Sequence, residues 1–121
     1  MKRGLLFSAL LALLMAVLWA VSTYALERVT VTATYYADRY QGRLMANGER
    51  YDRDKYSTAC NWLPLGTPVR LSYDIHTVYT RVTDRMAADT PGWRIDVSRA
   101  VAEDMGWTEQ GKVSMELEVV R

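Results

Sequence analysis

Asp84 is the side chain best placed for chemistry in this sequence. It ends the run Val78-Tyr-Thr-Arg-Val-Thr-Asp84, where Val78, Thr80, Val82 and Asp84 fall on one face of an alternating strand. An inward carboxyl at a strand end lies over an open groove. Apolar surroundings there would raise its pKa and keep it protonated, the state a general acid needs. The competing reading is that Asp84-Arg85 opens a turn and the carboxylate accepts hydrogen bonds from loop amides. Glu49 follows Asn47-Gly48 in a long irregular stretch, and by itself reads as a solvated loop charge paired with Arg50 or Arg53. Asp96, just ahead of a helical segment, reads as support for the helix start, with a lesser option of orienting Asp84.

Cys60 is the single cysteine and His76 the single histidine. One cysteine excludes an intramolecular disulfide and leaves a free thiol or intermolecular pairing. A dimer through Cys60 is therefore one reading of the chain. His76 falls in a hairpin turn, and a metal site needs more ligands than are visibly clustered, so neither a metal nor a cofactor is expected. Tyr35, Tyr36, Tyr40, Tyr51, Trp62 and Trp93 lie in or beside the loops. Aromatic faces bury large area and offer a polar handle, which suits them to sugars; Trp62 and Trp93 serve equally well as plugs for the ends of a barrel.

The elements that would position these groups follow from periodicity. Met1-Lys2-Arg3-Gly4 precedes an apolar run from Leu5 to Val21, and Thr23-Tyr24-Ala25 offers small residues at a cleavage site. This is the pattern of an export signal over 1–25, followed by a domain over 26–121; the alternative is an uncleaved anchor. Either way the domain lies outside the cytoplasm. Loss of Lys2 and Arg3 leaves 13 basic against 14 acidic residues, a balance that gives no support for nucleic-acid binding.

The mature chain opens on a strictly alternating strand, Arg28 to Tyr36, with Val29, Val31, Ala33 and Tyr35 inward. Residues 37–66 lose periodicity and carry turn signals, and long loops of this kind are often functional. A hairpin over Thr67 to Asp84 follows, then a short strand from Trp93 to Val97. A helix starts at an N-cap Ser98 and stops at Gly106, with Trp107 folding back. The last strand runs from Lys112 to Val120, with Val113, Met115, Leu117 and Val119 inward. Five or six short strands and one helix in so few residues bury their faces best in a closed barrel.

Five segments in order carry a resemblance: Ala33-Thr-Tyr-Tyr36, Gly42-Arg-Leu-Met-Ala-Asn-Gly-Glu-Arg-Tyr-Asp52, Leu63-Pro-Leu-Gly-Thr67, Arg81-Val-Thr-Asp-Arg85 and Arg94-Ile-Asp-Val-Ser-Arg-Ala-Val-Ala102. Together they make the chain from Val31 to Val120 resemble the rare lipoprotein A (RlpA) family. The resemblance implies an all-β fold with a small helix, a six-stranded double-psi β-barrel. It also implies binding of peptidoglycan glycan strands and their cleavage as an endolytic lytic transglycosylase. Expansins share the barrel and loosen walls without hydrolysis, so a non-catalytic glycan-binding module is the alternative.

The family's key catalytic aspartate matches Asp84, and a site glutamate matches Glu49. Tyr36, Cys60, Trp62, Arg85 and Trp93 are the candidates for substrate binding. Cys60 stands where lytic members have a histidine, in Ser57-Thr-Ala-Cys60. A thiol cannot reproduce a readily protonated imidazole. The histidine's role is then dispensable, or Cys60 is a small buried hydrophobe, or only glycan binding survives. The chain shows neither the lipid-bearing cysteine nor the C-terminal repeat domain of many members. The expectation is a monomer free in the periplasm or released, without a membrane anchor once the signal is cut.

Overall fold

The computed structural model describes residues 2–121, and side chains from residue 6 to 18 and from 28 onward. The expected cleavage site at Thr23-Tyr24-Ala25 lies outside the residues whose side chains are described. Lys2–Glu27 form one helix, α1, which runs directly into β1 (Arg28–Tyr35). Its described apolar side chains, among them Leu6, Phe7, Leu10 and Leu14, are exposed.

The barrel is built from β1, β2 (Thr58–Cys60), β3 (Pro68–Tyr73), β4 (His76–Asp84), β5 (Arg94–Val97) and β6 (Lys112–Val119). They close in the order β1-β5-β2-β4-β3-β6. Two parallel pairs, β1 with β5 and β2 with β4, interlock, and the remaining neighbours are antiparallel. This is the six-stranded double-psi β-barrel that the resemblance implies.

The alternations of β1 and β6 place Val31, Ala33, Met115 and Leu117 in the barrel interior. Between strands β5 and β6, α2 (Arg99–Met105) seals the core with Val101, Ala102 and Met105. Gly106 ends it in the left-handed region at φ 80°, a conformation that costs glycine little. Trp107 turns back as expected: its amide donates to the Ala102 carbonyl at 3.1 Å, and its ring is fully buried. Ser98 is the N-cap residue of α2, as expected. Its side chain makes no capping bond; instead its Oγ accepts the Ser57 amide at 3.2 Å, tying the helix start to the residue before β2.

Strand β2 is the element that periodicity misses, since it lies in the stretch read as loop. Its three residues, Thr58, Ala59 and Cys60, are all buried, so no polar alternation marks it. Its sheet partners on both sides, β5 and β4, supply the backbone hydrogen bonds that three residues alone could not sustain. His76 likewise belongs to β4 rather than to the turn, which is the two-residue link Asp74-Ile75.

A second, smaller apolar cluster sits outside the barrel wall. Tyr36, Met45, Tyr51 and Ala59 form it, with Tyr40 and Met86 against its edge. It fastens the long loop of residues 36–57 onto the outer faces of β2, β4 and β5, and this is where the site forms.

Candidate active site

The position of Asp84 is set by a register shift. Thr58 of β2 lies opposite Val82 of β4, but Ala59 lies opposite Asp84, so β4 carries an extra residue at that point. A bulge of this kind re-aims the side chain that follows it. Asp84 therefore leaves the inward row of Val78, Thr80 and Val82 and faces a cleft on the outer wall. On the other side of β2, Ala59 is also opposite Asp96 of β5. The two aspartates thus flank one small residue, with Cα atoms about 10 Å apart from the spacing of two strand steps. Ala59, essentially buried at the floor, leaves the room between them open. The cleft holds about 430 Å³ and is lined by both aspartates, Tyr36, Tyr40, Arg43 and Arg85 among others.

Asp84 is not in apolar surroundings. Its Oδ1 accepts the amides of Ala46 at 2.9 Å and Arg85 at 2.8 Å, and its Oδ2 accepts the Tyr36 hydroxyl at 2.5 Å. The bonds to loop amides that the sequence suggests are present, and the apolar surroundings it suggests are not. The Ala46 amide is delivered by a tight turn in which Met45 donates to the Glu49 carbonyl and Gly48 to the Met45 carbonyl. Gly48, at φ 89°, allows that turn, and the Asn47 amide anchors it to the Thr83 carbonyl on β4. The Asn-Gly signal of the sequence is thus a device for aiming one amide at Asp84.

Asp96, read from the sequence as support for the helix start, lines the same cleft. Burial, and then the neighbouring Asp84 charge, push its carboxyl up to about 6; the Thr34 hydroxyl, donating to Oδ1 at 3.1 Å, and Arg94 oppose the rise. The available signal was the alternation of Arg94-Ile-Asp-Val97. Ile95 and Val97 fill the core, so Asp96 must face outward onto the cleft.

Glu49 is not brought to this cleft. It is exposed, its amide donates to Asn47 Oδ1 at 2.9 Å, and it borders a separate shallow depression with Asp52, Lys55 and Ser57 on the far side of Met45. Tyr36 lines the cleft, but not as a face for sugars. Its ring is stacked on Tyr51 at 4.4 Å and buried, so its hydroxyl is what the cleft sees. Burial, then the hydrogen bond to Asp84, raise that phenol well above its usual range, so it remains a donor.

Arg85 both lines the cleft and braces it. Its Nη1 donates to the carbonyls of Cys60 at 2.5 Å and Leu63 at 2.7 Å. Trp62 and Trp93 do not line the cleft; they pack edge-to-face on each other, 4.9 Å between ring centres.

Cys60 corrects two expectations. Its side chain is fully buried among the barrel's apolar residues, so it touches no substrate and is poorly placed for an intermolecular disulfide. Burial raises the thiol's pKa, which keeps it uncharged. Of the readings open for this position, the small buried hydrophobe is the one that the structure supports. Restoring the family's residue by Cys60→His should therefore overpack the core. The expected cost is about 1–3 kcal/mol, seen as a drop of several degrees in the thermal unfolding midpoint of the variant.

The six strands, closed with two interlocking parallel pairs, define a double-psi β-barrel with a carboxylate pair on its outer wall. The chain belongs to the lytic transglycolase family, whose model matches residues 28–117. Among curated relatives, the endolytic peptidoglycan transglycosylase RlpA of Neisseria meningitidis serogroup A is 35% identical over 94 residues. That match covers 75% of this chain and 38% of the relative. The probable endolytic peptidoglycan transglycosylase RlpA of Treponema pallidum is 40% identical over 95 residues, covering 72% and 29%. The chain thus spans less than two fifths of the length of either relative.

Among solved structures, a Streptomyces papain inhibitor superposes with a TM-score of 0.65 at 24% identity, over 78% of this chain and 94% of that one. A Clavibacter michiganensis expansin gives 0.63 at 19%, over 78% and 50%. At these identities the two structures share the fold.

Proposed function

We propose that the chain is an exported, cell-wall-associated endolytic lytic transglycosylase that cleaves peptidoglycan glycan strands in the Asp84–Asp96 cleft. The observation that carries this reading is the carboxylate pair across Ala59, with its two members in opposite environments. Pairs of acids whose surroundings differ in this way divide acid and charge-stabilising roles.

Asp96, held near neutrality's edge by burial and by Asp84, is the proton donor to the glycosidic oxygen. Asp84, fixed by Ala46, Arg85 and Tyr36, faces the positive charge that develops on the sugar as the bond to the leaving oxygen breaks. No water enters the reaction. A hydroxyl of the same sugar attacks the cationic carbon and closes an anhydro ring, and its proton passes to the Asp96 carboxylate, which is thereby restored. Glu49 has no step in this scheme. The family's histidine has none either, which is consistent with a buried Cys60.

Export rests on the apolar α1 sequence with its two leading positive charges, and on the wall-acting names of the relatives. The test is mass spectrometry of the soluble products after the purified chain is incubated with glycan strands, with and without stem peptides. Anhydro-sugar ends are the expected result. Strands that bind the protein but yield no such ends would replace this reading with a non-catalytic, expansin-like binding module.

A further inference from the structure

The start of α2 is capped by a distant part of the chain. A helix leaves its first backbone N–H groups without partners inside the helix. Ser98 stands at the N-cap, but its Oγ accepts the Ser57 amide and serves none of them. The long loop accepts two of them instead. The Arg99 amide donates to the Tyr51 hydroxyl at 3.2 Å, and the Ala100 amide donates to the Arg53 carbonyl at 2.9 Å. Tyr51 is therefore held at its phenolic end by the first turn of a helix that the barrel core fixes through Val101, Ala102 and Met105.

The ring of Tyr51 lies against that of Tyr36, with 4.4 Å between centres and 19° between planes. Stacking of this closeness restricts the rotation of both rings. Although Tyr51 borders the cleft, it is only 1% exposed and offers a glycan almost no surface. Tyr36 then reaches Asp84, its hydroxyl donating to Oδ2 at 2.5 Å. Both backbone amides, of Ala46 and Arg85, go to Oδ1. Among the described residues Tyr36 is thus the one donor to Oδ2. The plane of the carboxylate follows the Tyr36 ring, and that ring lies where Tyr51 holds it. Packing alone would be met by phenylalanine at both positions, without two polar groups to satisfy. The two hydroxyls, one at each end of the stack, are what link α2 to Asp84.

We propose that Tyr51 is a positioning residue for the cleavage reaction: it carries the fixed position of the α2 start, through the Tyr36 ring, to the carboxylate of Asp84. The proposal rests on the reading of the cleft as the site of glycan cleavage, and it adds to that reading a residue that acts only through its neighbour. A carboxylate that must face a developing charge gains from such a mount, because the geometry is set before the substrate arrives.

Three variants separate this role from packing. Tyr36→Phe removes the bond to Asp84 and keeps the stack. Tyr51→Leu removes the stack. Tyr51→Phe keeps the stack but releases it from the Arg99 amide, and it carries the test if Tyr51→Leu does not fold. Cleavage of peptidoglycan glycan strands is measured for each as kcat and KM separately. The Tyr36 hydroxyl proton is followed by NMR, identified by its loss in Tyr36→Phe. Misplacing a group by about 1 Å can cost about a hundredfold in rate; Asp84 keeps its two backbone donors, so Tyr51→Leu should lower kcat about tenfold and leave KM within about twofold. The double variant Tyr36→Phe/Tyr51→Leu should lose no more than Tyr36→Phe alone, because the path to Asp84 is already cut. Tyr51→Phe should lose less than Tyr51→Leu, and in both the hydroxyl signal should broaden or vanish. Losses that add in the double variant overturn the proposal, as does a raised KM with unchanged kcat, which would make Tyr51 a binding contact. Wild-type turnover and an unchanged signal in Tyr51→Phe also overturn it, since the link to α2 would then carry nothing. Cleavage by wild type with an unchanged signal in both Tyr51 variants removes the role of Tyr51 and leaves the transglycosylase. A wild-type chain that cleaves no strands, with the signal still lost in the Tyr51 variants, removes the transglycosylase and leaves Tyr51 positioning Asp84.

Discussion

Asp84→Asn should abolish glycan cleavage, lowering turnover by about a thousandfold or more, without unfolding the barrel. The magnitude follows from what is lost. A carboxylate aimed at developing charge in a partly enclosed site is among the larger contributions an enzyme makes, and removing one electrostatic partner typically costs about 10²–10³. The second loss compounds it. Asp84 is one of the causes that hold the Asp96 carboxyl up near 6, so the neutral amide lowers Asp96 and moves the remaining activity to more acidic pH. The fold should survive, because the amide oxygen can still accept from the backbone of Ala46 and Arg85. Anhydro-product yield measured across pH, alongside circular dichroism, checks this. A variant that retains wild-type turnover would remove Asp84 from the chemistry.

Asp96→Asn should also silence the proposed glycan cleavage while making the protein more stable at neutral pH. The proposed proton donor is gone, and general acid catalysis is worth about 10²–10⁴ in rate. In the proposed mechanism the wild type acts through the protonated form, so cleavage should decline as pH rises through about 6, where the buried carboxyl ionises.

The stability effect has the opposite sense from that of a salt-bridged acid. Folding raises this carboxyl from 3.8 to about 6. Below 3.8 both folded and unfolded chains carry the proton and no difference arises. Between the two values the unfolded chain releases its proton and the folded one retains it, so stability falls as pH rises. Above 6 the buried charge destabilises by at most about 3 kcal/mol. Asp96→Asn removes that burden and can still accept the Thr34 hydroxyl. Its unfolding midpoint should exceed the wild type's at pH 7.5 and match it near pH 4. Equal midpoints at both values would show that Asp96 is not held protonated by burial.

This stability burden supports the proposed acid role of Asp96. An asparagine would keep the bond to Thr34 at less cost, and the outward position on β5 has no need of a carboxyl for packing. The same reasoning separates Cys60 from the site. Its place in the barrel interior is filled by volume, and its contribution to the cleft is a backbone carbonyl that any residue could offer Arg85.

Much of the architecture was legible before folding was considered. Strict alternation in Arg28–Tyr35 and Lys112–Val119 reports a half-buried strand because each residue's direction is fixed by the pleat. Gly106 marks the end of α2 because few other residues accept φ 80°. The five ordered segments identified the barrel and singled out Asp84. Strand β2 was not legible, since a three-residue strand buried on both sides has no period to read. Its existence depends on neighbours that arrive from distant parts of the chain.

The site divides along the same line. Residue type alone determined that a carboxyl at position 84 was available for chemistry, and that the Asn47-Gly48 turn would interrupt the loop beside it. Only the tertiary structure decided what that carboxyl faces, because the bulge opposite Ala59 reverses the direction that simple alternation assigns to it. Only the closure of β2 between β4 and β5 brings Asp96 level with Asp84. The same closure buries Cys60 and carries Glu49 to the other side of Met45. Alternation and turn chemistry are local and act within a few residues. The register between strands is set by pairing across the whole barrel, and the two carboxylates meet through that register.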